Sequence, residues 1–502
     1  MQNVQGSIEG AKSLGDNPSP CVTHPVDVVL PFWQLGLYGF QHVLTFYAAA
    51  VVVPILLAGA LGLPREVLEH LIEADLFTCG IASLIQSVGL GRHIGVRLPL
   101  LQGVTFVAVT PMIAIGVAAG GGMAGLHQIF GAVIVAGIFA YCAAPLFSRI
   151  THLFPPVVTG SVILVIGLAL LPVAANDIVS GHGAGTVQNP VDLRSVAYGL
   201  GTLCFILVVQ RLSRGFMATI VFLLGLVMGT IVAWLLGDAH FGAVSQAPAF
   251  ALVTPLQFGM PSFHIAPALS MMIVMAISML ETTGDLFATG AIVGRRISPG
   301  DIARAIRADG LATVLGGVFS SFPYTCFAEN VGLVRITGVK SRWVVAAAAF
   351  IMMLLGCVPK LAALMACVPA PVLGGATLAM FAAVAVAGIQ TLAQVDFENQ
   401  NNTIIVGTSV GLGMMATAQP HIADHFPAWA QIIFGSGITL GALAAIVLHL
   451  LFNFGREALV APATEDAAQA AGEKLAWDVM PSPEDRLLTY GKRHNPDSVA
   501  RS

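Results

Sequence analysis

The residues able to do chemistry in this sequence are few, and they stand in apolar surroundings. From Phe263 to Leu280 the chain carries one ionisable residue, His264, and then places Glu281-Thr282-Thr283-Gly284-Asp285. Glu281 and Asp285 are four apart and share one helix face. Two carboxylates so placed repel each other and resist being ionised together, which suits proton exchange. The blander reading sets both at a helix end facing water, but the apolar run continues from Leu286 to Val293. Asp309 follows a basic stretch and is expected at the start of a segment, where the helix dipole favours an acid whether or not it exchanges protons. His42, in Gln41-His42-Val43-Leu44, fits a packed imidazole or a proton relay.

Two further stretches are polar where a helix would be apolar. Ser321-Phe322-Pro323-Tyr324-Thr325-Cys326-Phe327-Ala328-Glu329-Asn330-Val331-Gly332 is a poor helix until Val331, and Pro99-Leu100-Leu101-Gln102-Gly103-Val104-Thr105-Phe106 is similarly interrupted. Short extended segments from two broken spans would aim backbone N–H groups and helix N-termini into a cavity. Glu329 and Asn330 would then add directional hydrogen bonds.

The elements that position these groups lie in a membrane. Of 502 residues 56% are hydrophobic and 10% charged, against about 25% charged in soluble domains. Fourteen of the 48 charges fall between Arg456 and Arg501, leaving the rest nearly charge-free. A soluble enzyme, a nucleic-acid binder and a disordered scaffold are excluded. The seven cysteines are scattered without metal or disulfide spacing and are expected to be small buried hydrophobes. No metal or cofactor is implied. Residues 1–25 lack the basic and apolar regions of a signal peptide and are expected to form a short soluble tail.

A spanning helix needs roughly 20 apolar residues. The runs fall at 35–57, 69–90, 98–119, 126–147, 157–174, 196–209, 216–236, 265–288, 309–321, 324–337, 343–366, 372–392, 403–418 and 430–452, fourteen segments in all. With both tails cytoplasmic, the inner loops hold twelve basic residues, among them Arg92, Arg97, Arg295, Arg296, Arg304 and Arg307. The outer loops hold Arg65, Arg194 and Lys360. Pro156-Val157-Val158-Thr159-Gly160 is echoed by Pro371-Val372-Leu373-Gly374-Gly375, and Arg97-Leu98-Pro99 by Ser321-Phe322-Pro323. Seven segments separate each pair, and an odd number inverts the second copy. The expected fold is therefore an all-α polytopic membrane protein, a 7+7 inverted repeat with short strands in broken segments 3 and 10, as in secondary transporters.

Glu329-Asn330-Val331-Gly332-Leu333-Val334-Arg335-Ile336-Thr337-Gly338 resembles the signature of the nucleobase-ascorbate transporter family: Gln, Glu or Pro, then Asn, any residue, Gly, four of any kind, Thr, and Arg, Lys or Gly. Gln41-His42-Val43, Glu281, Asp285, Asp309 and Phe322-Pro323 support the resemblance, which runs from about Val29 to Phe454. It implies a core of segments 1–4 and 8–11 (29–150 and 261–368) and a gate of the other six (151–260 and 369–455). Tails at 1–28 and 456–502 flank them. It also implies homodimerisation and proton-coupled nucleobase uptake. By the same resemblance Glu281 grips the base, Glu329, Asn330 and Ala328 form a second contact, and Phe106 beside Thr105 stacks on the ring. Asp309 is then the proton-coupling or core-ordering acid, with His42 as its hydrogen-bonding neighbour, and Asp285 is expected to share in proton coupling. Purine members usually carry Gln at the first signature position, and uracil members Glu with a Thr-Arg ending. Glu329 with Thr337-Gly338 mixes the two. The ending and Val339-Lys340-Ser341-Arg342 resemble bacterial xanthine and urate permeases, with a uracil symporter as the alternative.

Other patterns carry less. Gly407-Thr408-Ser409-Val410-Gly411 fits a hydrolase elbow but sits in an apolar segment, where small residues pack helices. Gly225-Leu226-Val227-Met228-Gly229 is a helix-packing face. Gly181-His182-Gly183-Ala184-Gly185 lacks the strand and helix of a dinucleotide loop. A channel would show rings of repeated polar residues, and a membrane enzyme a nucleophile with its base or a metal set. The acids here are unequal and confined to a few segments.

Overall fold

The structure, a computed structural model, describes residues 24–151, 154–179, 192–426, 431 and 433–453. The expected tails, apart from 24–28, and the 181–185 loop lie outside them. By contacts the chain divides into Met1–Ile446 and Val447–Ser502. Of the latter only 447–453 are described, where the Asn453 amide and His449 Nδ1 lie 3.0 Å apart.

Each of the fourteen apolar runs has its element. The first seven give α1 (Phe32–Leu61), α2 (Arg65–Val88), strand β1 (Gln102–Val104) leading through a 3-10 turn into α3 (Val109–Ala118), α4 (Gly122–Ile150), α5 (Pro156–Val179), α6 (Leu193–Leu212), and α7 (Phe216–Thr219) with α8 (Val221–Leu235). A short α9 (Gly242–Gln246) precedes the second set: α10 (Ile265–Val293), α11 (Pro299–Val318), strand β2 (Tyr324–Cys326) leading into α12 (Ala328–Thr337), and α13 (Arg342–Gly356) with α14 (Pro359–Met365). The set closes with α15 (Ala370–Leu392), α16 (Gln400–Ala418) and α17 (Gly437–Asn453). Among the described residues seven helices are long and apolar enough to span alone. The others are broken or short, as expected of segments interrupted by Gly, Pro and polar residues.

The inverted repeat shows in the packing. α2 crosses α13 where a Cβ on Gly80 would stand 2.6 Å from Ala349 O and one on Gly356 2.9 Å from Glu73 O. α11 crosses α4 the same way: a Cβ on Gly137 or Gly310 would stand 2.8 Å from the other's carbonyl oxygen. These crossings join segments 2 to 11 and 4 to 9, pairs that exchange under a seven-segment shift. α5 packs on α15, again a self-related pair, with Gly167 against Ala385 and Gly388 against Leu164. Small residues are needed because backbones approach this closely only without side chains between them.

Three expectations are corrected. Segment 9 starts ten residues earlier than read, at Pro299, with Ser298 and Asp301 forming a capping box. Asp309 is therefore mid-helix and buried rather than at a helix start, and Arg304 and Arg307 ride on the helix. The basic residues had masked a Ser-Pro start signal. Segment 11 is bent by 84° between α13 and α14, where Val358-Pro359 disfavours a continuous helix. Cys142 and Cys204 are exposed on helix surfaces, while Cys79, Cys326, Cys357 and Cys367 are buried; Cys21 lies outside the described residues. Ser409 is helical and bonds back to Ile405 O at 2.7 Å, as a packing residue does.

Candidate functional site

The site is built around the two strands. β1 and β2 pair antiparallel, Gln102 opposite Cys326, Gly103 opposite Thr325 and Val104 opposite Tyr324. Each strand runs into the N-terminus of a short helix, β1 through the Phe106–Ala108 turn into α3 and β2 into α12. The strands satisfy each other's backbone groups, which the apolar surroundings require. Thr105 N–H adds a bond to Pro323 O at 3.0 Å. A Cβ on Gly103 would fall 2.5 Å from the Phe46 ring and 2.6 Å from the Phe327 ring, so only glycine admits both aromatics there.

Thr105, just past β1, donates its hydroxyl to Glu281 Oε2 at 3.3 Å and accepts one from Ser278 at 3.1 Å. Glu281 and Asp285 lie within α10, which continues two turns past Asp285, so neither is a frayed helix end. Asp285 Oδ2 is buried without a hydrogen-bond partner. Asp309 Oδ1 accepts from Gln102 Nε2 at 2.6 Å and Oδ2 from the Thr282 hydroxyl at 2.5 Å. Thr282 is also 3.0 Å from the Thr325 hydroxyl. Hydroxyls from α10 and the strand segments thus surround both acids, Thr105 and Ser278 on the Glu281 side and Thr282 and Thr325 on the Asp309 side. The charges of Glu329 and Asp309 act on Glu281, so the three acids form one electrostatic cluster.

Glu329 lies in the first turn of α12, half-buried, with exposed Ala328 before it. Asn330 is buried and its amide is engaged at both ends: Oδ1 with His42 Nδ1 and Nδ2 with Pro99 O at 3.1 Å. His42 is therefore the neighbour of Asn330 and not of Asp309, because α1 packs on α12 while Asp309 is taken up by Gln102 and Thr282. Phe106 is buried, with Phe381 of α15 at 5.5 Å, edge-on, and Phe327 at 6.1 Å.

The structure thus gathers Thr105, Glu281, Asp309 and Glu329 about the strand pair. His42 with Asn330 forms a separate latch from α1 to α12. Sequence reasoning assigned no role to Gln102, Ser278, Thr282 or Thr325. All four stand inside or next to the polar runs already singled out, so a neutral hydroxyl or amide beside an acid was the available signal. No set of three or more metal-ligating side chains occurs among the described residues. Chemically the cluster can accept hydrogen bonds from an N–H-bearing ligand, and it holds carboxyl groups where their charge is costly.

Residues 33–422 match a family model described as Permease family, Xan_ur_permease. Among similar proteins, the uric acid transporter UacT of Escherichia coli (strain K12) is 44% identical over 86% of this chain and 88% of its own. The xanthine permease of Bacillus subtilis (strain 168) is 40% identical over 87% and 97%, and the uric acid permease PucJ of the same organism 41% over 85% and 94%. Among solved structures, the transmembrane domain of the cyanobacterium bicarbonate transporter BicA superposes with a TM-score of 0.54 at 17% identity, covering 84% of this chain and 99% of that one. Murine Slc26a9, an anion transporter in the inward-facing state, gives 0.55 at 12%, covering 85% and 69%. These two show the fold.

Proposed function

We propose, from the premise that this chain belongs to the nucleobase-ascorbate transporter family, that it is a proton-coupled importer of the purine bases xanthine and urate. It is a multi-pass membrane transporter, and the proposal places it in a bacterial inner membrane with both termini cytoplasmic, as the basic residues of the loops favour. The reading is carried by the Thr105–Glu281 pair at the strand junction, with the Thr282–Asp309 pair beside it on the same helix α10. A purine dione offers ring N–H donors beside carbonyls. Glu281, oriented by the Thr105 hydroxyl, accepts the N–H groups, while N–H groups at the start of α12 donate to the carbonyls. Glu329 and Ala328 border the ligand on the α12 side, and Asn330, held by His42, keeps that helix end in place.

Protons are carried by Asp309, with Glu281 or Asp285 sharing the charge, since these groups change ionisation away from water. Neutralising one acid relieves repulsion on Glu281, so proton and base bind together. In this proposal residues 29–150 and 261–368 move as a core against a gate of 151–260 and 369–455, carrying the site across in an elevator-type step. Phe106 against Phe381 lies on the line between them. A homodimer formed through the gate would hold it still. Uptake of labelled xanthine competed with urate, guanine, hypoxanthine and uracil tests the reading. Competition by xanthine and urate is expected, and competition by uracil alone would overturn the purine assignment.

A further inference from the structure

One buried acid has no part in the site described above. Asp75, on α2, is 1% exposed, and no cation pairs with it among the described residues. Its Oδ1 accepts the Tyr324 hydroxyl at 2.9 Å and the Ser321 hydroxyl at 3.2 Å, with Cys79 Sγ at 3.6 Å. Its Oδ2 is buried with no hydrogen-bond partner. A buried carboxylate without a cation costs several kcal/mol, and one oxygen left bare adds to that. The arrangement makes sense for a group that is neutral part of the time. The Ser321 and Tyr324 hydroxyls stand 2.7 Å apart and either can donate. Both can point at Asp75 when it is charged, and one can turn to accept its proton when it is neutral.

A small cavity lies next to this acid, lined by Ala74, the residue before Asp75. Ser320, next to Ser321, lines it together with His70, Glu73, Gln257 and Phe258. Its volume of about 10 Å³ is about what a single water needs, so a water fits where a base does not. Glu73 pairs with His70 at 3.1 Å at this cavity. The other titratable groups around Asp75 are Tyr324 from β2 and Cys79 from its own helix. Cys357, just past α13, faces the charge of Glu73, and α11 brings Asp309, already held by Gln102 and Thr282.

The acid also has a readout. Tyr324 opposes Val104 of β1, the residue before Thr105, and its N–H is fixed by Thr313 Oγ1 at 3.0 Å. We propose that Asp75 takes up and releases a proton during transport, and that its state sets how firmly Tyr324 holds β2 against β1, and so the affinity of the Thr105–Glu281 site. Asp75 is then a positioning residue, and the inference rests on the transport reading above.

The test uses the full chain in lipid nanodiscs, with infrared titration of the carboxylic acid C=O band and binding of labelled xanthine and urate across pH. An acid band absent in Asp75→Asn is expected, together with a pH profile of affinity that loses one step while binding at low pH persists. Tyr324→Phe removes one donor to the carboxylate and should move the band's midpoint to higher pH. It decides the matter if Asp75→Asn does not fold. Wild-type profiles in Asp75→Asn, or an unmoved midpoint in Tyr324→Phe, would overturn the inference. Wild-type protein that binds neither base at any pH fails the transport reading and, with it, the affinity half of this one, and the infrared band then decides the proton half.

Discussion

Glu281 and Glu329 separate two kinds of acid at the residue scale. Glu281 is held by Thr105, so its carboxylate is oriented before any ligand arrives. Replacing it by Gln keeps the shape but turns one acceptor into a donor. A charge-assisted hydrogen bond contributes about 1.5–3 kcal/mol, so Glu281→Gln should weaken xanthine binding on the order of ten- to hundredfold with the protein still in the membrane. Unchanged uptake in that variant would remove Glu281 from the site. Glu329 bears on Glu281 as a like charge, and a protonated Glu donates as Gln does. Glu329→Gln is accordingly expected to keep purine uptake with a flattened pH profile, and would cripple a uracil transporter instead. If Glu329→Gln and Glu329→Ala both match the parent for every base, Glu329 stands outside the site. The acids were legible because ionisable groups are rare in apolar segments. Thr282, Gln102 and Thr325 were not, because a neutral hydroxyl or amide has no unusual cost until its partner is known.

Elements decide the next level, where the two strands meet. Gly103 is a tight point, with the Phe46 and Phe327 rings occupying the place of a side chain. Overpacking of this type costs about 1–3 kcal/mol, and here it acts on the strand that leads to Thr105. Gly103→Ala should lower uptake at least tenfold and reduce the melting temperature in detergent, whereas Gly59→Ala, with open space around it, should do neither. Equal behaviour of the two variants would show that the strand pair tolerates displacement. The broken character of segments 3 and 10 could be read from Pro, Gly and polar residues, but their pairing register could not. Segment 9 shows the opposite case: its start at Ser298-Pro299 was written in the chain, but Arg304 and Arg307 were read as loop residues. Arginines are tolerated on that helix because Arg304 pairs with Asp301 and Arg307 reaches His93 O.

For the whole molecule, coupling is the property to measure. If Asp309, Glu281 and Asp285 carry the proton, accumulation of labelled xanthine in proteoliposomes should collapse with a protonophore and be indifferent to sodium. Sodium-driven uptake without a proton gradient would refute the coupling. Composition and hydropathy already established that the chain crosses a membrane many times, since a 20-residue apolar run has few other uses. The Pro-Gly echoes and the parity of the segment count were enough for the inverted repeat, because topology in a bilayer alternates. The Glu329–Gly338 signature was enough for the family. Which polar side chain meets which was not available at that level. His42 looked like a partner for Asp309 and belongs to Asn330, and Asp75 drew no notice although it touches Tyr324. Such pairings join residues some 200 to 290 positions apart, and they are set by helix crossings at small residues, which leave no periodic trace along the chain.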